Sequence, residues 1–506
     1  MIDSPKILSF PALVERVAEL RADGRRVALC HGVFDLLHVG HLRYLEGAAR
    51  LADVVVVTVT PDRWVDKGPF RPAFDLALRL EALAALEVVD LVAPNAWPTA
   101  EETLRQLRPD VYVKGAEFAR PGADPTGKME RERAVAAEVG CTMEFVDDLT
   151  SSSSRLINRH LSIYPEPVAR WLDGLRARHR LADVLEFLDR MASLRVVVIG
   201  DAILDHYVDV ETLGKASKDP ALAVRELRDE EFAGGAVAVA HHIAAFGCSV
   251  ELISVLGDDE AGEILRSALS PAVRGRFVQR ADAATVRKRR IVDAYSRNKL
   301  LSIYRMDVTP PTAAVAEALA DELRAAAAGA DLVVCADYGH QAIPEALLEV
   351  IAGLESPLAI NVQANAGNRG FHTVTRHARA DFVFLAEHEI RLETRDSEGA
   401  LRPMMHRVAS QLGASLFVVT RGKRGSLAFA DGDFHEAPAL AHEIVDRIGA
   451  GDAFFALAAL AARLGAPPDL VSLLGNAAGG QAVATVGNRS ALDPQSLRKQ
   501  LTALLA

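Results

Sequence analysis

Two imidazoles stand three residues apart in the string Gly32-Val33-Phe34-Asp35-Leu36-Leu37-His38-Val39-Gly40-His41. At a helix start that spacing puts His38 and His41 on one face, beside backbone N–H groups with no intrahelical partner. Such an end attracts anions, and two imidazoles there can stabilise charge building on a phosphate in transfer. Histidine pairs at this spacing also occur as plain surface or core residues, and a zinc site would need a third ligand, which is not nearby. A second phosphate-handling pattern, Gly449-Ala450-Gly451-Asp452, lies near the other end of the chain. Glycines at a helix start let N–H groups close around a phosphate. An aspartate there can take the proton of an attacking hydroxyl. On its own this pattern is also an ordinary helix cap.

Alternating strands and helices must position both patterns. Arg26 to Cys30, Asp53 to Thr60, Val88 to Val92, Val111 to Lys114 and Met143 to Val146 read as strands. Leu42 to Leu51, Leu76 to Leu86 and Glu130 to Val139 read as helices between them. The β-branched run Asp53 to Thr60 is of the kind buried on both faces of a parallel sheet. A second alternation opens at Arg195-Val196-Val197-Val198-Ile199-Gly200-Asp201 and recurs at Val250 to Val255, Leu332 to Ala336, Leu358 to Val362, Phe382 to Leu385 and Leu416 to Thr420. The pattern predicts an α/β protein with two doubly wound parallel-sheet domains, 1–158 and 194–506. A helical connector, 159–193, is interrupted by Pro165 and Pro167. Lys288 to Arg305 is polar and β-prone, which suggests a small sheet outside the main fold. Thr150 to Ser154 is either a flexible linker or a helix cap with phosphate-binding hydroxyls.

Composition narrows the classes. The chain has 506 residues, half of them hydrophobic and a quarter charged, with a formal charge of −11. That balance argues against a nucleic-acid footprint. The four cysteines, Cys30, Cys141, Cys248 and Cys335, show no C-x-x-C spacing and read as buried thiols in a reducing compartment. No signal peptide or membrane span is expected, so the chain reads as cytoplasmic.

The first string resembles the cytidylyltransferase-like nucleotidyltransferases over about residues 24 to 160. The likeness extends to Arg71-Pro72, Arg79, the run Val113 to Phe118, and Thr150 to Ser153. It is most similar to the adenylyltransferase half of the bifunctional heptose-phosphate kinase/adenylyltransferases. The resemblance implies that a sugar phosphate attacks the nucleotide α-phosphate while pyrophosphate leaves with magnesium. His38 and His41 would stabilise the transition state and Lys114 would neutralise phosphate charge. Gly32, Phe34, Gly40, Arg79, Ser151, Ser152 and Ser153 would face the nucleotide. Asp35 would shape the loop or contact the substrate. Glu117 stands where the heptose enzymes usually show Asp.

The second pattern comes in an ordered set: Gly200-Asp201, Asp205, Gly234-Gly235-Ala236, Thr420-Arg421-Gly422 with Gly425, then Gly449 to Asp452. That set resembles the ribokinase-like (PfkB) carbohydrate kinases over about residues 194 to 505. The resemblance implies Asp452 as general base and Gly449, Ala450 and Gly451 as an anion hole. Thr420, Arg421, Gly422, Gly425 and Asn476 would lie along the ATP site. Asp201, Asp205, Gly234 and Gly235 would line the acceptor pocket, and Lys288 and Arg290 would belong to a lid that often forms a dimer. Closing a lid excludes water. The departures are on the acceptor and metal sides: Ala238, Asp337-Tyr338-Gly339-His340-Gln341, Asn361-Val362-Gln363, and Ala386-Glu387-His388-Glu389, which keeps only Glu389 as a magnesium-linked residue. Asn361, Gln363, Asn365 and Asn368 would offer an amide-rich surface suited to a neutral sugar or polyol.

Together these features predict a bifunctional enzyme that phosphorylates a sugar or polyol with ATP and couples the product to a nucleotide, ATP or CTP, with Mg2+ at both sites. The expected partners are small molecules and a second copy of the chain through the lid. The alternative is a nucleotidyltransferase with an inactive, ligand-binding kinase-like domain. The domain order is the reverse of the heptose enzymes, which carry the kinase first.

Overall fold

The computed structural model describes residues 4–65, 71–116, 128–146, 164–307, 309–368, 370–441 and 444–505. The chain divides into two compact units, Met1–Leu172 with Arg498–Ala506, and Asp173–Leu497. The division falls inside the helix Glu166–Arg178, between the boundaries of 158 and 193 expected from sequence. That helix and Leu181–Met191 form the predicted helical stretch, with Pro165 ahead of the first helix and Pro167 in its first turn.

The first unit holds five strands: β1 Val27–Gly32, β2 Val54–Val59, β3 Leu91–Pro94, β4 Val111–Gly115 and β5 Thr142–Val146. Their order is β3-β2-β1-β4-β5, and every pairing is parallel. β2 is buried along its whole length, as its β-branched run requires. Ala28 and Cys30 of β1 pack with Tyr44, Leu45 and Leu83 on one face of the sheet. Val27 and Leu29 pack with Leu13, Leu104 and Val135 on the other. Helices therefore cover both faces, as a doubly wound sheet demands. The helix Phe10–Ala22, capped by Ser9, was not read from the sequence.

In the second unit the strands are β6 Arg195–Gly200, β7 Ala202–Lys215, β8 Leu222–Gly235, β9 Ser249–Gly257, β10 Val273–Arg280, β11 Val286–Asp293, β12 Lys299–Arg305, β13 Leu332–Asp337, β14 Leu358–Val362, β15 Phe382–Ala386, β16 Leu416–Thr420, β17 Ser426–Ala430 and β18 Asp433–Ala437. Nine of them form one sheet in the order β10-β9-β6-β13-β14-β15-β16-β17-β18. It is not wholly parallel: β17 runs antiparallel to both β16 and β18. The short connections there leave no room for a crossover helix, so the strands must reverse.

The expected lid is a four-stranded sheet, β12-β11-β7-β8. It is larger than Lys288 to Arg305 suggested, because β7 and β8 add a long antiparallel ribbon. β8 is exposed over most of its length and rich in charge, so it lacks the half-buried alternation that marks a strand.

The connection from β13 into the following loop is fixed by Asp201. Its carboxylate accepts the backbone N–H groups of Tyr338 (2.8 Å), His340 (3.1 Å) and Ala342 (2.9 Å). Asp201 is thus engaged by the loop backbone through both carboxylate oxygens. Asp201→Ala would leave three buried donors unpaired, at about 1–3 kcal/mol each. The expected result is a loss of about 3 kcal/mol or more in stability of the second unit, read by denaturant unfolding.

Candidate active sites

In the first unit, β1 delivers the chain to Gly32, and Phe34 turns it with a φ of 50°. The helix Val39–Ala49 follows, with His38 as its N-cap. His38 Nδ1 accepts the N–H of Gly40 at 3.1 Å. The His38 and His41 rings lie 4.1 Å apart, and Phe34 flanks His41 at 5.4 Å. The two imidazoles therefore meet at a helix N-terminus, as their spacing predicted.

Three other expected site residues are held in structural contacts. Asp35 is buried and accepts Arg71 Nε (2.6 Å), Ala73 N (2.6 Å) and Phe74 N (3.2 Å). It shapes the loop rather than facing a substrate. Arg79 was expected at the nucleotide. Its guanidinium instead donates to the carbonyls of Phe74, Val33 and Thr60 and to Asp62. A buried cation needs such a full set of acceptors, and here they tie three loop segments together. Lys114 pairs with Glu132 at 2.9 Å and lies 4.8 Å from the Tyr112 ring. Glu132 also accepts the Tyr112 hydroxyl at 2.8 Å. Neither Glu132 nor Tyr112 was anticipated, because they are brought to Lys114 only by the fold. Ser151, Ser152, Ser153 and Glu117 lie outside the described residues.

The second site is a cavity of about 240 Å³ lined by Asp205, Lys288, Arg290, Tyr338, Gln363, Arg447, Gly449, Gly451 and Asp452 among others. Gly449 caps the helix Ala450–Arg463 with a φ of 86° that favours glycine. Asp452 is in the first turn and buried. Burial pushes its carboxyl up to about 6, opposed by a hydrogen bond from the Tyr338 hydroxyl at 2.5 Å. Gln363 also donates to it, at 3.4 Å. Asp205 is ion-paired with Arg290. Gly234 is required beside them, since a Cβ there would lie 2.4 Å from the Asp205 carboxylate. The lid strands thus bring Asp205, Lys288 and Arg290 to Asp452.

Asn361 was expected to contact the acceptor. It is buried in β14 and donates to the Phe384 carbonyl at 2.7 Å, away from the cavity. Asn365 and Asn368 donate to the Tyr338 carbonyl at 2.8 and 3.2 Å. Of the amide-rich set, only Gln363 lines the cavity. Arg447 also lines it, and sequence reasoning missed this residue although it lies beside the glycine turn. Glu389 accepts the N–H groups of Ala386 (2.6 Å) and Ala364 (3.2 Å), and burial pushes it up to about 7.

The loop after β16 is closed by its own backbone, Arg421 N donating to Gly425 O at 2.7 Å. Gly422 and Gly425 have φ of 58° and 80°. Thr420 ends β16 at this loop. The Arg421 side chain donates to the carbonyls of Arg424 and Ser426, and Asn476 donates to the Ser426 hydroxyl at 3.0 Å. Asn476 is thus tied to the residue that follows the Thr420 to Gly425 turn.

A nine-stranded sheet with a separate four-stranded sheet, and a buried carboxylate beside a glycine turn, are features of the ribokinase-like class of phosphotransferase. Residues 193–495 match the pfkB family carbohydrate kinases, and the chain belongs to that family. Residues 29–159 match the cytidylyltransferase-like family. A D-beta-D-heptose 7-phosphate kinase from Bordetella bronchiseptica is 31% identical over 307 residues, covering 59% of this chain and 94% of that protein. The bifunctional protein HldE of Alcanivorax borkumensis is 34% identical over 155 residues, 30% of this chain and 31% of that protein. HldE of Pseudomonas aeruginosa is 30% identical over 316 residues, 62% and 64%. Each match thus spans less than two thirds of these bifunctional relatives. Among solved structures, a phosphofructokinase-2 variant from Escherichia coli shares the fold, with a TM-score of 0.51 at 18% identity, covering 62% of this chain and 99% of that one.

Two outcomes test the electrostatics. Were Asp452 to take the proton of the acceptor, it would have to be deprotonated first, so kinase kcat should rise with pH and level off above about 6. Tyr338→Phe removes a bond that favours the charged form and should move that inflection to higher pH. In the first unit, Lys114 and Lys128 outweigh burial and hold Glu132 down at about 2. A lowered carboxylate contributes stability above its ordinary value near 4.5, and that contribution fades as pH falls toward 2. Glu132→Gln should cost about 3–5 kcal/mol at neutral pH, and the deficit relative to the parent should shrink in acid, as followed by urea melts.

Proposed function

We propose that the second unit transfers the γ-phosphate of ATP to a hydroxyl of a sugar phosphate, and that the first unit couples the resulting phosphate to a nucleotide. The observation that carries this reading is Asp452: a buried carboxylate with raised proton affinity, at a helix N-terminus, in a cavity rimmed by cations. Asp452 takes the acceptor proton as the oxygen attacks phosphorus. The N–H groups of Gly449, Ala450 and Gly451 hold the charge on the phosphoryl oxygens. The turn from Thr420 to Gly425 and Asn476 support the nucleotide.

Lys288, Arg290 and Arg447 line the cavity, with Asp205 engaged by Arg290. This charge balance favours an anionic acceptor over a neutral polyol, which supports a heptose phosphate like the one in the Bordetella relative's name. Magnesium would supply charge neutralisation on the ATP phosphates. Such an ion takes few protein ligands, and Glu389, a buried carboxyl near neutrality, is the residue that would hold it or its waters.

In the first unit the incoming phosphate oxygen attacks the nucleotide α-phosphate, pyrophosphate leaves, and His38 and His41 stabilise the charge between them. The nucleotide is ATP, by analogy with the heptose enzymes, with CTP as the competitor. Leu213, Leu222, Leu227, Leu301 and Ile303 are exposed on the lid strands, and a second copy covering them would make the chain a homodimer. No helix among the described residues is long and apolar enough to cross a membrane. The cytoplasm, where ATP is plentiful, is the proposed location.

Purified protein given ATP, CTP and D-beta-D-heptose 7-phosphate should release ADP and then pyrophosphate. Asp452→Asn should slow ADP release by about 10²–10⁴-fold and still release pyrophosphate when the parent's kinase product is supplied. His41→Ala should slow pyrophosphate release by about 10²–10³-fold and spare the kinase. Acceptor binding without ADP release would favour an inactive, ligand-binding kinase domain instead.

A further inference from the structure

We propose that Lys299, on the outer lid strand β12, is a positioning residue for phosphoryl transfer, acting through Asp446 on the glycine turn that carries the base. The inference rests on the kinase reading given above. Asp446 is buried three residues before Gly449, and its two oxygens collect four donors. One oxygen accepts Lys299 Nζ at 2.6 Å and the N–H of Ile448 at 3.2 Å. The other accepts the Tyr207 hydroxyl at 2.8 Å and the N–H of Gly487 at 3.2 Å.

Two of these donors come from the lid and two from the backbone around the turn. Ile448 leads directly into Gly449. Gly487 leads into Asn488, whose side-chain amide lies against Gly449. A single carboxylate therefore fixes both walls of the anion hole and fastens them to the lid. The lid side also reaches the acceptor. The Tyr207 ring lies 5.7 Å from Lys299 Nζ and 5.4 Å from the Arg290 guanidinium, which holds Asp205.

Lys299 is about one-third exposed and lines no part of the cavity. Its charge is the part of the clamp that leaves when the lid lifts. Without it, Asp446 keeps an uncompensated charge, and its hold on the Ile448 and Gly487 N–H groups loses its partner. The turn is then less well placed for the phosphoryl group, although ATP and acceptor still meet the residues that touch them.

The test compares Lys299→Met with Lys299→Arg, using MgATP and D-beta-D-heptose 7-phosphate. Lys299→Met should lower kcat on the order of tenfold to a hundredfold with KM for the acceptor nearly unchanged, since misplacement of reacting groups acts on the rate. Lys299→Arg, which keeps the charge, should recover most of it. Amide hydrogen exchange needs no turnover. In Lys299→Met, residues 447–452 should exchange faster, while β13 and β14 stay as in the parent. Unchanged exchange at 447–452, or an unchanged kcat, would overturn the proposal. Failure of the parent protein to release ADP would count against the kinase reading alone, with the exchange result still deciding the role of Lys299.

Discussion

Taking a carboxylate out of water while leaving it able to accept a proton is the constraint on which the larger unit depends. Burial alone would push Asp452 further from ionisation. The Tyr338 hydroxyl and the positive charge of Lys288 draw it back to about 6. Tyr338 must then be fixed, and much of the surrounding polar structure does this. Asp201 grips the backbone of the loop at residues 338, 340 and 342, and Asn365 and Asn368 hold the Tyr338 carbonyl. The path runs from a carboxylate at the end of β6, through a loop, to a phenol, to the base. Each link is a buried polar group whose partner is supplied by the next.

The smaller unit uses its buried charges differently. Arg79 gathers three loop segments, Asp35 orders the segment at Arg71 to Phe74, and Glu132 sits between cations. These are self-contained arrangements that hold the ends of β1, β2 and β4 in place. The two histidines stand at a helix start framed by them. His31, on β1, shows the contrast: burial and the nearby lysines push it down to about 3, so it stays neutral against Thr58.

Local sequence carried the parts that local physics determines. β-branched runs announced β2 and β6, and the glycine and histidine spacings announced two helix starts. What stayed hidden depends on contacts distant along the chain. Whether Arg79 faces a nucleotide or three carbonyls cannot be read from a helix pattern. Asn361 was grouped with Gln363, Asn365 and Asn368 as one amide-rich surface, yet of these Gln363 alone lines the cavity. In a strand, alternate residues would share a face, but the chain leaves β14 at Val362, so the two amides part company. β8 was missed because a solvent-facing ribbon has no buried side to imprint an alternation.

The lid carries Asp205, Lys288 and Arg290, whereas Asp452, the glycine turn and the Thr420 to Gly425 loop come from the later part of the chain. The two walls of the cavity thus occupy separate stretches of the gene, and a substitution in one stretch reaches the other only across the cavity.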